Sequence, residues 1–498
     1  MPLIATDVLT CAAGTVPHRL AVTLGDERLT FAQVERQAHR TAHALLGLGA
    51  RPGDRVAWWS DISLDGVALY FGLSRIGVAF APLNPAYTDD EVTAALEYLR
   101  PRLLIVDAAH AERAEQLAVG IDIPLVTVGE GGTQPGCDLT RLAQAASDRA
   151  PDVPLPTEDA ICTIFLTSGS TGRPKGVMIS QRATWLRTHA GAAAHSTSGG
   201  PGQVVMFPLF HMAGWNFATM AWSAHQPAHL VRRADADEIL GAVERWSAAT
   251  LYCIPAVWRR ILECDRRSDV ASLTWALTGT SQVTPELLHG IKERFPNSQT
   301  TVNYGSTETA RAVALTDADL FDHPGSVGHP IPGVQARLSD DGELLMTSDR
   351  LMTGYFDLPD ETAEALQGGW YHTGDLAEQD DDGYLYIVGR KKEIIRSGGE
   401  TVAPVEVEAA LAGYPGIVEV AVIGAPDPEW GEVVCAVVVV ADGAPVPTVD
   451  GLRAHIGDRL ASYKHPRKVA RADQLPRTLA TGQVQRSRLA RQYGSTEG

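Results

Sequence analysis

The first ~400 residues alternate short apolar runs with segments whose apolar positions recur at a helical period. Arg55–Trp59, Leu103–Val106 and Ile161–Leu166 have the apolar character of buried strands. Phe31–Leu46 and Asp90–Leu99 have the one-sided apolar pattern of helices. This alternation predicts a layered α/β architecture. Further strands of the same kind are predicted at Pro124–Val128, Val204–Phe207, His229–Val231, Leu251–Ile254 and Trp275–Leu277.

The pattern changes after Gly333, where the apolar runs become shorter and turn residues more frequent. Strands are predicted there at Gln335–Leu338, Gly342–Met346 and Tyr384–Val388, and Asp380–Gly383 indicates a hairpin turn. The basic tetrad Gly389–Lys392 then marks a boundary. Beyond it, helices are predicted at Val405–Leu411 and Val449–Leu460, and strands at Val418–Ile423 and Val433–Val440.

A chain of 498 residues is long for one hydrophobic core, so more than one domain is expected. We predict a large N-terminal domain of layered α/β subdomains over residues 1–389 and a hinge at 390–392. A small, mobile α+β C-terminal domain is predicted over residues 393–498.

Composition favours a cytoplasmic protein. Six cysteines lack any CxxC spacing, which argues against a zinc site or a disulfide framework. The first residues lack the basic start and apolar core of a signal peptide. The most apolar stretch, Val67–Leu83, contains Arg75 and is too short to span a membrane. We therefore expect no membrane span.

The net charge of −18 argues against general nucleic-acid binding. The charge is uneven, because residues 451–491 hold ten Lys and Arg against two Asp. Such a basic segment on an acidic body could attract a polyanionic small molecule. A solvated helix face is an equally good interpretation.

The segment Thr167–Gly176 is the most informative motif, since it joins glycines, hydroxyls and Lys175 directly after a predicted strand. Glycines let the backbone approach a phosphate, hydroxyls donate to its oxygens, and a lysine offsets its charge. The spacing differs from the Walker pattern. The alternative is a Gly/Ser-rich surface loop.

Asn303–Glu308 is a second motif, in which a predicted strand end is followed by small residues and a carboxylate that suits Mg²⁺. Its alternative is a helix N-cap box. In a third motif, Trp370–Leu376, Asp375 follows a glycine at a predicted strand end and could hold two ribose hydroxyls. A lone Gly-Asp is more often a turn. Two further motifs are Gly389–Glu408 and Leu475–Arg486.

Together, the order and spacing of these motifs resemble the adenylate-forming (ANL) superfamily, in its acyl-CoA synthetase or AMP-dependent CoA ligase branch, along essentially the whole chain. The resemblance implies ATP, Mg²⁺ and CoA as ligands. The implied ATP contacts are Thr167, Ser168, Gly169, Ser170, Thr171, Gly172, Lys175, Asn303, Tyr304, Gly305, Ser306, Thr307, Asp375 and Arg390.

The resemblance also implies the other site residues. Lys175, His211, Glu308 and the position of Gln483 take catalytic roles, and Thr167 and Glu308 lie near the metal ion. Implied acyl contacts are His211, Trp215, Asn216, Gly279, Thr280 and Ser281. Implied CoA contacts are Ser397, Gly398, Gly399 and Lys464, and Lys392 lies at the hinge.

Two of these assignments have plain alternatives. Without the resemblance, His211 is more simply a satisfied buried histidine. The aromatic residues around Trp215 could form an apolar pocket, with Asn216 or Ser281 holding a polar ring substituent, but they could equally be core. Since no aspartate lies between Phe207 and Trp222, a standard α-amino acid is disfavoured.

The sequence departs from the family pattern in three places. Gln483 stands where the family has a lysine that bridges the carboxylate and the α-phosphate. The change could be deliberate, could be offset by Arg486 or another cation, or could mark altered chemistry. Where relatives often show Gly-Gly-Ala-Pro lining the acyl pocket, Thr280, Ser281 and Gln282 make the wall more polar, and Ser306 stands where many relatives carry methionine.

The resulting hypothesis is a cytoplasmic ATP-dependent acid–CoA ligase that forms an acyl-AMP from an aryl or medium-chain acid and transfers the acyl group to CoA. Gln483 is expected to weaken adenylation. The alternatives are an adenylate-forming enzyme with another acceptor, such as an amine ligase or a nitrite-using diazotase, and a non-catalytic acyl-adenylate binder. The expected partners are small molecules, and a homodimer is left open.

Overall fold

The computed structural model describes residues 2–118, 122–129, 138–167, 175–195, 199–266, 269–397, 400–478 and 482–494. By internal contacts the chain divides into two compact units. The first comprises residues 1–324, 330–334 and 347–369, and the second comprises residues 325–329, 335–346 and 370–498.

The first unit contains two large sheets with helices between and around their strands. Its strands are β1 (Leu20–Leu24), β2 (Glu27–Thr30), β3 (Arg55–Trp59), β4 (Ala79–Pro82), β5 (Leu103–Asp107), β6 (Leu125–Val128), β7 (Ile161–Thr167), β8 (Lys175–Ser180), β9 (Gln203–Val205), β10 (Ala228–Leu230), β11 (Thr250–Tyr252), β12 (Trp275–Gly279), β13 (Gln299–Ser306) and β14 (Ala310–Leu315). Strand β15 (His329–Pro330) lies where the chain passes between the units.

The helices of this unit follow the same order along the chain. They are α1 (Thr6–Thr15), α2 (Phe31–Gly47), α3 (Leu64–Arg75), α4 (Asp89–Leu99), α5 (Ala111–Ala118), α6 (Leu139–Ala145), α7 (Gln181–His195), α8 (Met212–Ser223), α9 (Ala236–Trp246), α10 (Pro255–Glu263) and α11 (Pro285–Arg294).

The second unit contains two smaller sheets, mostly antiparallel. Its strands are β16 (Gln335–Leu338), β17 (Glu343–Thr347), β19 (Tyr371–Gln379), β20 (Leu385–Arg390), β21 (Ile395–Ser397), β22 (Glu400–Val402), β23 (Ile417–Asp427), β24 (Gly431–Val440) and β25 (Lys468–Arg471). Its helices are α13 (Pro404–Leu411), α14 (Val449–Ile456) and α15 (Arg486–Tyr493); β18 (Gly354–Tyr355) and α12 (Pro359–Ala365) belong to the first unit.

The sheets of the first unit place the candidate site residues. One has the strand order β14-β13-β12-β11-β9-β10-β1-β2, and the other has the order β18-β8-β7-β4-β3-β5-β6. Within each sheet the inner strands are parallel, so the carboxyl ends of these strands lie along the same edge of that sheet. Ligands of α/β folds usually bind at this edge. The hairpins β7–β8 and β13–β14 are antiparallel and turn back at their ends.

A close approach between α2 and α3 depends on a glycine. A Cβ atom on Gly72 of α3 would lie 2.9 Å from the carbonyl oxygen of Ala38 and 3.2 Å from the nitrogen of Ala42, both in α2. The α3 residues around it are buried almost without exception. Any side chain at this position would therefore push the two helices apart.

The second unit is organised around the long β23–β24 hairpin. Helices α13 and α14 cover one face, where Val422, Val434 and Leu411 belong to one apolar cluster. Helix α15 contributes Leu489 to a separate cluster with Ile423. The unit thus has apolar cores of its own.

The fold class predicted from the sequence is confirmed: both units mix helices with layered sheets. The β3 strand has the predicted bounds, and the Asp380–Gly383 hairpin turn forms between β19 and β20. The contact division assigns the β16-β17-β19-β20 sheet to the second unit. The predicted hinge at 390–392 stays a prediction. No helix in the described part of the chain is long and apolar enough to cross a membrane.

We expect Gly72→Ala to lower the free energy of unfolding by ~1–3 kcal/mol, because its methyl group would overlap the α2 backbone. The matched control is Gly47→Ala at the exposed end of α2, where nothing lies within 4 Å of the new Cβ. This control should raise stability by up to ~1 kcal/mol through helix propensity alone. Thermal and urea unfolding of both variants would test the packing, and a shift of equal sign in both would contradict it.

Candidate active site

The ends of β7 and β8 hold the first two site residues opposite each other. Thr167 pairs with Lys175 in the antiparallel ladder, and the Thr167 hydroxyl donates to the Lys175 carbonyl at 3.3 Å. The predicted phosphate-loop residues between them lie outside the described residues; they are Ser168, Gly169, Ser170, Thr171 and Gly172. The ladder therefore fixes both ends of the candidate phosphate loop.

Lys175 is linked to Glu308 through a tyrosine that the sequence analysis did not single out. The Lys175 ammonium lies 4.7 Å from the centre of the Tyr355 ring. The Tyr355 hydroxyl donates to Oε1 of Glu308 at 3.1 Å. Tyr355 reaches this position because β18 pairs with β8, which places it opposite Val177. A cation, a ring and a carboxylate thus form one chain of contacts.

Glu308 lies in the turn between β13 and β14. The backbone closes so tightly there that a Cβ atom on Gly305 would lie 1.9 Å from the Ala310 carbonyl oxygen. Ser306 and Thr309 brace the turn through bonds of 3.0–3.3 Å between their hydroxyls and amides. The helix N-cap alternative is wrong, because the chain turns back into a strand here.

Arg187 of α7 holds the same turn from within. Its side chain donates to the carbonyl oxygens of Thr307 at 3.0 Å, Glu308 at 2.7 Å and Arg350 at 2.8 Å. The Met352 amide donates to the Glu308 carbonyl as well, at 2.8 Å. Arg187 is buried, and this burial lowers its pKa to about 9.

His211 caps the N-terminus of α8. Its Nδ1 accepts a hydrogen bond from the Ala213 amide at 3.2 Å, so the proton of the neutral ring belongs on Nε2. Burial lowers the pKa of His211 to about 4. It is therefore a neutral hydrogen-bond donor at physiological pH. This geometry fits both the predicted role beside a carboxylate and the alternative of a satisfied structural histidine.

An aromatic cluster adjoins His211 through Phe207. Phe207 stacks on it with a centroid distance of 6.0 Å, and Phe217 lies 5.9 Å from Phe207 and 4.8 Å from Tyr252. Burial raises the pKa of Tyr252 well above its ordinary value, so its hydroxyl stays protonated. Tyr252 is a second residue that the sequence analysis missed.

The end of β12 reaches this aromatic group. A Cβ atom on Gly279 would lie 2.0 Å from the Asn303 carbonyl oxygen and 2.7 Å from the Tyr252 hydroxyl, and φ of Gly279 is +148°. Thr280 follows at φ +69°, a left-handed conformation that is uncommon for threonine. Strained backbone of this kind is frequent at ligand sites. Ser281 follows in the exposed turn after β12.

Trp215 is packed as a core side chain. It is 3% exposed, stacks on Tyr70 at 4.2 Å and donates from its indole nitrogen to the Leu209 carbonyl. With Asn216 and Arg187 it borders a cavity that has room for about one water molecule. Trp215 is therefore a core residue in this structure. An acyl group could enter the cavity only if the side chains around it moved.

The predicted ribose pair lies in the second unit. Asp375 and Arg390 face each other on β19 and β20, with an Nε–Oδ1 distance of 2.8 Å. Asp375 is buried, whereas the Arg390 side chain is 54% exposed. The predicted strand end at Asp375 is wrong, since β19 continues to Gln379 because its ladder with β20 extends past the glycine.

Two predicted CoA residues are described in the same unit, and Gly398 and Gly399 lie outside the described residues. Ser397 is buried at the end of β21. Lys464 bonds to Glu406 at 2.6 Å, which raises the pKa of Lys464. A phosphate would have to compete with this carboxylate. Lys392 lies in the exposed turn that follows β20.

Gln483 is exposed and precedes Val484, which forms an antiparallel bridge with Arg477. The main-chain amide of Gln483 donates to the Thr478 hydroxyl at 3.0 Å, and the main-chain carbonyl of Gln483 accepts from the Thr478 main-chain amide at 2.8 Å. Arg486, the candidate substitute cation, instead donates to Glu393 and Glu408 at 2.8 Å. Its charge is already matched by two carboxylates in this structure.

A magnesium ion would find a suitable oxygen at Glu308. In the described part of the chain no group of three or more His, Cys, Asp or Glu could hold a metal. Mg²⁺ at nucleotide sites usually needs only one or two carboxylates, because phosphates and water supply the other ligands. Glu308 bonds to Tyr355 through one oxygen and retains acceptor capacity for a cation.

Comparison with known proteins identifies the family. The sequence matches the AMP-binding enzyme family over residues 9–356 and the AMP-binding enzyme C-terminal domain over residues 406–480. A feruloyl-CoA synthase from an Amycolatopsis species is 35% identical over 96% of each chain. ATP-bound MatB from Rhodopseudomonas palustris has a TM-score of 0.90 at 28% identity over 99% of each chain. An amide bond synthetase from Marinactinospora thermotolerans has a TM-score of 0.85 at 29% identity over 98% of this chain and 100% of that chain.

The chain belongs to the AMP-binding enzyme family, in the acyl-CoA synthetase branch of the adenylate-forming superfamily. The resemblance drawn from the motifs is therefore confirmed. Tyr355 and Arg187 were missed because each acts across a large sequence separation, and their own segments have no distinguishing pattern.

The low pKa of His211 predicts a specific loss of stability in acid. The ring stays neutral in the folded protein down to about pH 4, whereas the unfolded chain takes up a proton below its ordinary pKa of ~6.5. Stability from this site is therefore present above pH ~6.5 and is lost as the pH falls towards 4. His211→Gln should remove on the order of 3 kcal/mol of that acid dependence. Urea unfolding at several pH values would measure it, and parallel curves for the two proteins would refute the assignment.

Proposed function

We propose that this protein is an ATP-dependent acid–CoA ligase that activates an aryl carboxylic acid as its acyl-adenylate and transfers the acyl group to CoA. The observation that carries the proposal is the Lys175–Tyr355–Glu308 chain beside the ends of the candidate phosphate loop. A medium-chain acid is the second candidate substrate. Mg²⁺, when bound at Glu308, would draw charge from the phosphate oxygens.

The chemistry requires two steps. The acid's carboxylate oxygen attacks the α-phosphorus of ATP, and pyrophosphate leaves with the electrons of the broken P–O bond. The CoA sulfur then attacks the acyl carbon, AMP leaves, and the thiol proton is released. Negative charge grows on phosphoryl oxygens in the first step, so a nearby cation such as Lys175 lowers its barrier.

The acid site favours an aromatic substrate on two grounds. Phe207 stacks on His211, and Phe217 and Tyr252 pack against Phe207, so an aromatic cluster adjoins the histidine whose Nε2 proton can be donated to a carboxylate oxygen. Aromatic rings pack well against one another in offset or tilted arrangements. The feruloyl-CoA synthase relative, named for an aryl acid, supports the same substrate class. Asn216 or Ser281 would bind a polar ring substituent.

Two observations favour a second candidate, an enzyme with an acceptor other than CoA. One structural relative is an amide bond synthetase. The other is the Glu406–Lys464 pair, which leaves this lysine less available to a CoA phosphate. An amine or carrier-protein acceptor, or nitrite in a diazotase reaction, would fit the same first step. A non-catalytic acyl-adenylate binder is less well supported, because Lys175, Glu308, Asp375 and Arg390 are all present.

Gln483→Lys should raise the rate of acid-dependent pyrophosphate release by about 10²–10³-fold, since one well-placed donor to a developing charge has that effect. The matched control is Gln485→Lys, which adds the same charge two residues away and should change little. Release is measured with saturating ATP and no CoA. Equal rates for the native chain and Gln483→Lys would mean that the native reaction does not use this position.

The acceptor is tested with the native chain and Gln483→Lys on a panel of aryl, aliphatic and amino-aryl acids. We expect cinnamate- or benzoate-like acids to give pyrophosphate, and acyl-CoA to form only when CoA is added. Products are identified by mass spectrometry. The same assays are repeated with an amine, a carrier protein or nitrite supplied in place of CoA. Amide, carrier-bound or diazo products formed in these reactions, with no acyl-CoA formed when CoA is present, would overturn the CoA-ligase proposal and support the second candidate. ATP binding without pyrophosphate release from either chain would support the non-catalytic binder.

A further inference from the structure

Arg187 is a buried cation whose hydrogen bonds, in the described part of the chain, go to main-chain carbonyls. Arg187 is only 5% exposed. Its acceptors are the carbonyl oxygens of Thr307, Glu308 and Arg350, at 2.7–3.0 Å. Burying a charge costs free energy unless it is well bonded, so a buried arginine needs acceptors of this kind.

Two of the carbonyls that Arg187 binds flank the Cα atom of Glu308. The Thr307 carbonyl belongs to the peptide before the Cα atom of Glu308, and the Glu308 carbonyl belongs to the peptide after it. Arg187 therefore holds both peptides that flank this Cα atom, which fixes the two backbone dihedrals of Glu308. The direction in which the Glu308 side chain leaves the backbone follows from those dihedrals.

The third bond ties this turn to the segment that leads to Tyr355. Arg187 donates to the Arg350 carbonyl, and the Met352 amide donates to the main-chain carbonyl of Glu308. Three residues further along, Tyr355 donates to the Glu308 carboxylate. One guanidinium thus fixes both the main chain that bears the carboxylate and the start of the segment that bears its hydrogen-bond donor.

We propose that Arg187 is a positioning residue that orients the Glu308 carboxylate and thereby sets the Mg²⁺-dependent part of ATP binding. The proposal rests on the proposed function only in taking Glu308 as part of the nucleotide site. A lysine could not replace Arg187, because its single ammonium cannot reach three carbonyls held in a fixed fork arrangement. Residues that orient a metal ligand typically change metal affinity by about 10–100-fold when removed.

The experiment is calorimetric titration of ATP, with and without Mg²⁺, into the full chain without acid or CoA. For Arg187→Lys and Arg187→Met we expect Mg²⁺-dependent ATP binding to weaken by about 10-fold or more, and metal-free ATP binding to change little. Glu308→Gln is the reference for complete loss of the carboxylate. Arg187→Lys retains the charge, so it answers the question if Arg187→Met fails to fold.

The matched control is Thr188→Val, which removes the buried hydrogen bond from Thr188 to Thr219 on the same helix without touching the Glu308 turn. It should leave Mg²⁺-dependent binding unchanged. The double variant of Arg187→Lys with Glu308→Gln should bind like Glu308→Gln alone, because Arg187 acts through that carboxylate. Additive losses would overturn the proposal.

Two further results would separate the positioning role of Arg187 from the assignment of Glu308 to the nucleotide site. Arg187 variants that bind Mg²⁺ and ATP as the native chain does would overturn the positioning role and leave the proposed function intact. A native chain whose ATP binding ignores Mg²⁺ would overturn the assignment of Glu308 in the proposed function, and the positioning role with it.

Discussion

The site depends above all on the ladder of β8, which pairs with β7 on one side and with β18 on the other. Neighbouring strands lie about 4.8 Å apart, so this ladder brings residues distant in sequence within side-chain reach. Thr167 and Lys175 bound the candidate phosphate loop, and Tyr355 comes from far along the chain. Because backbone hydrogen bonds hold all three, changes within the loop need not displace its ends.

Two largely buried arginines, one in each unit, are satisfied in different ways. Arg187 bonds to the dipoles of three uncharged carbonyls, and the nearby Glu308 carboxylate offsets part of the cost of burying its charge. Arg486 bonds to Glu393 and Glu408, whose carboxylates cancel its charge.

The sequence predicted the elements far better than the contacts between them. Apolar periodicity located β3, α2 and α4 closely, because strand and helix repeats are local properties. The pairing of Asp375 with Arg390 came from the resemblance alone. Tyr355 and Arg187 could not be predicted, since their partners lie 47 and 121 residues away and only the sheet order brings them together.

Gln483 is a neutral residue at the position where the family has a lysine. A neutral amide can donate a hydrogen bond but cannot offset a growing negative charge. Arg486 is committed to two carboxylates, and releasing it would leave Glu408 buried without its partner, at a cost of several kcal/mol. Substitution by Arg486 is therefore the weakest of the three explanations for Gln483. A deliberate change and an altered reaction remain, and they differ in whether a lysine at this position restores the activity or disturbs it.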